Sequence, residues 1–187
     1  MQDKINRFIA AHNNQSIEAE DPSALDACMD ELFAWCDFLG IPRSAVRRQF
    51  AYQVWENADD ETRKYFDLIP NTPTNVSQAG DVLCFKRVNG IVIGHVSVDI
   101  GKSDINNAIS FDQNWDTLHY FHLDAQGNHI PYCRTVVHAG YYGVIGFLRP
   151  KIILQGDDVL LSKIQAVVNG AGDPHSKVTA IKQLVNS

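Results

Sequence analysis

At Gly80 the apolar positions of the chain change from a helical to a strand spacing, and this switch constrains the fold more than any other feature. Before it, Ile5, Phe8, Ile9 and His12 form one stripe. Leu25, Cys28, Met29, Leu32, Cys36 and Leu39 then recur at the spacing of a buried helix face. Gly40 and Pro42 stop that helix, and Ser44 can cap a third one through Val46, Phe50, Val54 and Trp55. Pro70 to Gly80 reads as a loop. Beyond it, residues 81–88 and 91–100 flank Asn89-Gly90, a strong hairpin signal. Residues 108–115 read as a third strand, and 132–138 and 143–148 as the last two, closed by Arg149-Pro150. Between them, 116–130 is polar with a candidate tight turn at Gly127-Asn128. Helices followed by an antiparallel meander predict an α+β fold with a sheet of about five strands.

The chain has 187 residues, enough for one domain of ordinary size with a small appendage. The formal net charge is −6 and no basic block interrupts it, which argues against nucleic acid as a partner. The start, Met1-Gln2-Asp3-Lys4, leads into an amphipathic stretch, so neither a signal peptide nor a membrane span is expected, and synthesis in the cytoplasm is. Cysteines 28, 36, 84 and 133 have no CxxC spacing, so a disulfide framework or structural zinc is not expected and a thiol is free for chemistry. From 151 to 187 a helical pattern returns, broken at Gly170-Ala171-Gly172-Asp173-Pro174, with a last short helix at 178–185.

Three segments carry candidate chemistry: Ala27-Cys28-Met29-Asp30 on a helix, Gly94-His95-Val96-Ser97-Val98 on a strand, and Asp112-Gln113-Asn114-Trp115 at the end of the next. A thiol, an imidazole and a carboxylate or amide are the parts of a cysteine-nucleophile hydrolase. Cys28 can also be read as a small buried hydrophobe, and His95 as a core histidine with a satisfied hydrogen bond. Asp112 can be read as a solvated strand end. An N-cap at Asp26 would put Cys28 in the first helical turn, where the dipole favours a thiolate; Asp21 before Pro22, or Ser23, are competing caps. Strand alternation puts Ser110, Asp112 and Asn114 on one face and Ile109, Phe111, Gln113 and Trp115 on the other.

These segments, with Gly80-Asp81-Val82-Leu83 opening the sheet and Gly146-Phe147-Leu148-Arg149-Pro150 closing it, resemble a CHAP domain over roughly residues 15–150. CHAP domains are the cysteine, histidine-dependent amidohydrolase/peptidase group of the papain-like NlpC/P60 superfamily. The resemblance implies a papain-like fold and cleavage of bacterial peptidoglycan, as an N-acetylmuramoyl-L-alanine amidase or as an endopeptidase. Many members are phage endolysins or virion-associated lysins, so action on the wall after holin-type release, or as a virion component, is implied. Carried over, Cys28 is the nucleophile, His95 the general base, Asp112 the group orienting the imidazole, and Asn114 a second polar contact. The sequence departs from the family at Ala27, where Gln is common, and in the lead-in Ile17-Glu18-Ala19-Glu20-Asp21-Pro22-Ser23.

No cofactor is expected. Some members bind calcium through acidic residues of the lead-in, and Asp21 and Asp30 fall where such ligands would fall, although the usual loop glycine is missing. The domain organisation expected is a catalytic region over 1–150 and a helical extension over 151–187, which either packs on the domain or binds the wall. Two other functions fit the same residues: a cysteine protease or deamidase acting on protein, and a virion structural or wall-binding module without turnover.

Overall fold

The computed structural model describes residues 1–19, 27–86, 93–115, 121–151 except 124 and 128, and 164–185 except 165, 171 and 172. Backbone contacts divide the chain into two units, Met1–Lys151 and Ile152–Ser187.

The first unit opens with helix α1 (Gln2–His12), which buries Ile5 and Phe8, and α2 (Ala27–Leu39). Along α2 every residue from Cys28 to Phe33 is buried, as are Trp35 and Cys36, so this helix is enclosed on nearly all sides and not merely laid on a surface. Its ends differ in kind: Gly40 takes a left-handed φ of +71° that ends the helix, and the competing caps Asp21, Ser23 and Asp26 lie outside the described residues. Trp35 is fully buried, its ring edge against Phe8 and its indole N–H donated to the Gly80 carbonyl at 3.2 Å. Burying side chains of this size contributes roughly 2–3 kcal/mol each, so α2 is pinned to the start of the sheet.

The expected third helix is instead a 3-10 turn at Arg43–Ala45 and a single turn of helix, α3 (Gln53–Glu56), with no continuous helix between. The backbone there is committed to tertiary partners: the Tyr52 N–H donates to the Ile93 carbonyl at 3.2 Å, and Phe50 N–H to the Gln53 side chain. Ser44 caps nothing; the residue before the turn is Pro42. A further helix, α4 (Asp60–Tyr65), was not expected, and a capping box between Asp59 and Thr62 starts it.

The strands are β1 (Phe66–Pro70), β2 (Val82–Phe85), β3 (His95–Asp99), β4 (Asn107–Asp112), β5 (Phe121–Leu123), β6 (His129–Pro131), β7 (Arg134–Ala139) and β8 (Val144–Pro150). Six form one sheet in the order β1-β8-β2-β3-β4-β7, every neighbouring pair antiparallel, and β5 and β6 form a separate hairpin. The α+β class therefore stands, with two corrections. The sheet has six strands, because β1 was hidden among helices, and it is not a simple meander, because β8 returns across it to lie between β1 and β2. The Asn89-Gly90 turn lies outside the described residues, but β2 and β3 pair as a hairpin requires, Val82 opposite Val98 and Phe85 opposite His95.

In the second unit, residues 166–169 are helical and α5 spans Pro174–Val185. This helix begins four residues earlier than its apolar pattern indicated. Pro174 suits a first helical position, and Asp173 accepts the Ser176 N–H at 3.1 Å as a cap would.

Candidate active site

Cys28 stands in the first turn of α2 and is 3% exposed. His95 is the first residue of β3 and Asp112 the last of β4. The chain thus brings a helix N-terminus and two strand ends together, and Cys28 comes close enough to His95 to act on the imidazole. On the other side of the ring, His95 Nε2 lies 2.8 Å from Asp112 Oδ1. An ionised carboxylate only accepts, so Nε2 carries the proton and Nδ1 is the nitrogen left for the thiol.

The electrostatics agree with that assignment. Burial alone would lower the His95 pKa, but the charges of Asp112 and Cys28 and the hydrogen bond to Asp112 outweigh it and hold the pKa well above the usual histidine range. Burial would likewise raise Asp112, yet the imidazole of His95 and the hydrogen bonds from His138 and His95 keep this carboxyl below the usual range. The arrangement can hold an imidazolium beside a carboxylate and a thiol, which is what proton transfer from a nucleophile needs.

Gly94 makes the approach possible. Its φ is +73°, and a Cβ there would lie 2.6 Å from the Tyr52 Cβ, 2.7 Å from the Tyr52 nitrogen and 2.8 Å from the Phe85 carbonyl oxygen. The residue before His95 is therefore both left-handed and crowded against backbone, two reasons for glycine.

The fourth carried-over residue is placed differently. Strand β4 ends at Asp112, and Asn114 adopts a left-handed φ of +73°, so the alternation expected to continue through Trp115 breaks there. Asn114 does not share a strand face with Asp112. The turn sends Trp115 to the side of the imidazoles, its ring 5.1 Å from His95 and 4.4 Å from His138. Asparagine is among the residues that most readily take this conformation, so the turn has a sequence cause.

Three residues near the site were given no role from the sequence: His138, Glu31 and Gln113. His138, on β7, has Nε2 at 2.8 Å from Ser110 Oγ and 3.4 Å from Asp112 Oδ2. Glu31 is fully buried one turn beyond Cys28; burial first, then Asp112, raises its pKa well above the carboxylate range, and its Oε2 accepts the Gln113 N–H at 2.9 Å. Gln113 in turn pairs with the Ile17 backbone, accepting its N–H at 2.7 Å and donating to its carbonyl at 3.0 Å. The signal for His138 was its inward register in an alternating strand, two residues after buried Val136.

Of the calcium candidates, Asp21 lies outside the described residues and Asp30 is buried in the first turn of α2. Among the described residues no group of three or more His, Cys, Asp or Glu side chains is arranged to hold a metal ion, and no helix is long and apolar enough to cross a membrane.

No protein-family model matches the sequence, and no curated protein matches it. Solved structures do. The chain is similar to a wild type endolysin, LysIME-EF1, with a TM-score of 0.53 and 19% identity over 79% of this chain and 62% of that one. It is also similar to the structure of Ly7917, with a TM-score of 0.49 and 10% identity over 80% of this chain and 62% of that one. The likeness to LysIME-EF1 establishes a shared α+β fold. The chain spans less than two thirds of the length of either.

Proposed function

We propose that the chain is a CHAP-type peptidoglycan hydrolase that cuts an amide bond of the bacterial wall through a Cys28 thioester, as phage lysins do. The observation that carries this reading is the buried line of contacts from the Cys28 thiol through His95 to Asp112. The fold shared with an endolysin supports the wall as substrate.

In the reaction, His95 Nδ1 takes the Cys28 proton and the sulfur attacks the carbonyl carbon of an N-acetylmuramoyl-L-alanine or peptide amide. The oxyanion meets the Cys28 backbone N–H, one of the orphan donors at the start of α2. His95 returns its proton to the departing amine as the C–N bond breaks, leaving a thioester. Water, deprotonated by the same imidazole, then attacks the thioester, releasing the carboxylic acid and the free thiol. Asp112 stays ionised throughout and stabilises the imidazolium. The reaction needs no cofactor. The proposed setting is synthesis in the host cytoplasm and action on the wall after release, or delivery in the virion.

Mass spectrometry of muropeptides from purified walls, before and after treatment, tests this. New amine termini on L-alanine are expected for an amidase, and within the stem or cross-bridge for an endopeptidase. Walls left intact by the wild-type chain, with cleavage of a protein substrate, would replace the reading by a cysteine protease.

A further inference from the structure

We propose that His138 is a positioning residue of this site, holding the Asp112 carboxylate from the oxygen opposite His95, so that the orienting unit is His95–Asp112–His138. The inference rests on the hydrolase reading above and adds a member to its machinery.

The geometry comes from sheet register. Strands β4 and β7 pair Ser110 with Val136 and Ala108 with His138, so His138 is the diagonal neighbour of Ser110 on the inward face. Its Nε2 meets Ser110 Oγ at 2.8 Å and Asp112 Oδ2 at 3.4 Å, while Ser110 Oγ is 3.5 Å from the same oxygen. The other oxygen, Oδ1, is taken by His95. With an imidazole on each side, the carboxylate has no free rotation about its Cβ–Cγ bond.

His138 is 3% exposed and its Nδ1 has no hydrogen-bond partner among the described residues. A buried imidazole sacrifices hydration, and here the hydrogen bonding that offsets it is on the Nε2 side, facing Ser110 and Asp112. The ring is walled by Trp115 at 4.4 Å and Phe85 at 4.9 Å, and the same two rings lie 5.1 Å and 5.5 Å from His95. One aromatic wall therefore sets both imidazoles. Asp112 is also faced by Glu31 from α2 and by the Cys133 thiol, and His95 by Cys28. Opposite His95, the carboxylate is held at Oδ2 by His138, directly at 3.4 Å and through Ser110 Oγ at 3.5 Å.

A second hydrolytic triad, Ser110–His138–Asp112, is ruled out by the same geometry. Ser110 is fully buried, and serine and aspartate both meet the same ring nitrogen, so no basic nitrogen faces the hydroxyl with a carboxylate behind it. Ser110 is a link between His138 and Asp112.

The test is the pH profile of iodoacetamide alkylation at Cys28 in the full chain, read by peptide mapping, for wild type, His138→Gln, His138→Phe and Ser110→Ala. Losing the second hold on Asp112 weakens its support of the His95 imidazolium, so the thiolate–imidazolium window narrows from both sides. In His138→Phe the rate at the acid limb should fall roughly tenfold, a shift of about one pH unit. Ser110→Ala should shift in the same direction, and His138→Gln, whose side-chain N–H can replace Nε2–H, should restore most of the rate. Nitrogen-15 NMR of the wild-type histidines supplies a measurement free of folding effects: His138 should carry its proton on Nε2. A proton on Nδ1, or a Ser110→Ala or folded His138→Phe profile that coincides with wild type, overturns the inference. A wild-type chain in which Cys28 is not the first thiol alkylated sinks the hydrolase reading instead, and the NMR still decides the hold on Asp112.

Discussion

His95 Nε2 and Asp112 Oδ1 meet at 2.8 Å with both side chains almost completely shut off from solvent. A contact of this kind on the surface would be worth little. Inside the protein, removing one partner leaves an uncompensated buried charge, which typically costs about 3–5 kcal/mol. Orientation of the imidazole and stability of the site are therefore coupled through this one pair.

Asp112→Asn separates the two. The amide keeps the shape and can still accept the Nε2 proton, but it no longer stabilises the imidazolium. A loss of kcat on the order of 10²–10⁴-fold is expected, with KM little changed. Steady-state release of soluble muropeptides measures it, and an unchanged kcat would remove Asp112 from the mechanism.

Replacing Cys28 with Ala or Ser should bring wall hydrolysis to background while the thermal midpoint stays within a few degrees, because a small side chain is exchanged for another of similar size. The remaining thiols give the control. Cys36, Cys84 and Cys133 are buried, and burial first of all pushes each well above the ordinary thiol range. Iodoacetamide should therefore label Cys28 first in the wild-type chain; Cys36 labelled ahead of it would point to a different nucleophile.

What the sequence disclosed follows from physical range. Cys28, His95 and Asp112 could be read because each sits in a short segment whose local pattern, helical stripe or alternating strand, survives in the structure. Asn114 was misplaced because alternation was carried two residues past the end of β4, where a left-handed turn takes over. Strand β1 was not legible because Phe66 is its one well-buried residue, and β8, nearly eighty residues later in the sequence, supplies its pairing. His138 was missed for the same reason: its contact with Asp112 exists through the β4–β7 pairing, across a segment that contains a separate hairpin.

Glu31 gives a prediction of opposite sign to Asp112. Its carboxyl is raised above the unfolded value, so the folded state binds the extra proton and stability falls as pH rises from the ordinary glutamate range, about 4.3, through the folded pKa. Asp112 is depressed and contributes stability that is lost as pH falls through its folded pKa. His95, raised, contributes stability that is lost as pH climbs through its own. Glu31→Gln keeps the acceptor for the Gln113 N–H and deletes the titration. The variant should gain thermal stability over wild type, by a margin that grows from pH 5 to pH 8. Parallel curves of midpoint against pH for the two proteins would mean that Glu31 is not protonated in the fold.

Gly94→Ala tests the crowding ahead of His95. The left-handed backbone costs about 1–2 kcal/mol for a side chain, and the added methyl meets backbone atoms of Tyr52 and Phe85 that cannot swing away. A destabilisation of about 2–4 kcal/mol in urea unfolding is expected. Activity should fall further than the folded fraction accounts for, since His95 is the next residue and must shift with the backbone. A fully stable variant with wild-type turnover would show that the approach to Tyr52 is not needed.

The last prediction concerns the chain beyond the sheet. Cys28, His95, Asp112 and His138 all belong to the unit Met1–Lys151, and β8 ends at Pro150 with its pairing to β1 and β2 complete. Lys151 itself is tied to that unit, its N–H donated to the Tyr65 carbonyl at 2.8 Å and its ammonium to the Arg63 carbonyl at 2.7 Å. The unit from Ile152 onward has its own local order, with Lys177 Nζ donating to the Val168 carbonyl at 2.8 Å. A chain ending at Lys151 should therefore fold and keep the Cys28 alkylation profile of the full protein. Hydrolysis of a soluble muropeptide should persist, and sedimentation with intact walls should drop if the C-terminal unit is a targeting module. A thermal midpoint lowered with wall binding unchanged would assign that unit to stability instead. A folded, shortened chain that no longer turns over the soluble substrate would show that the catalytic unit extends past Lys151.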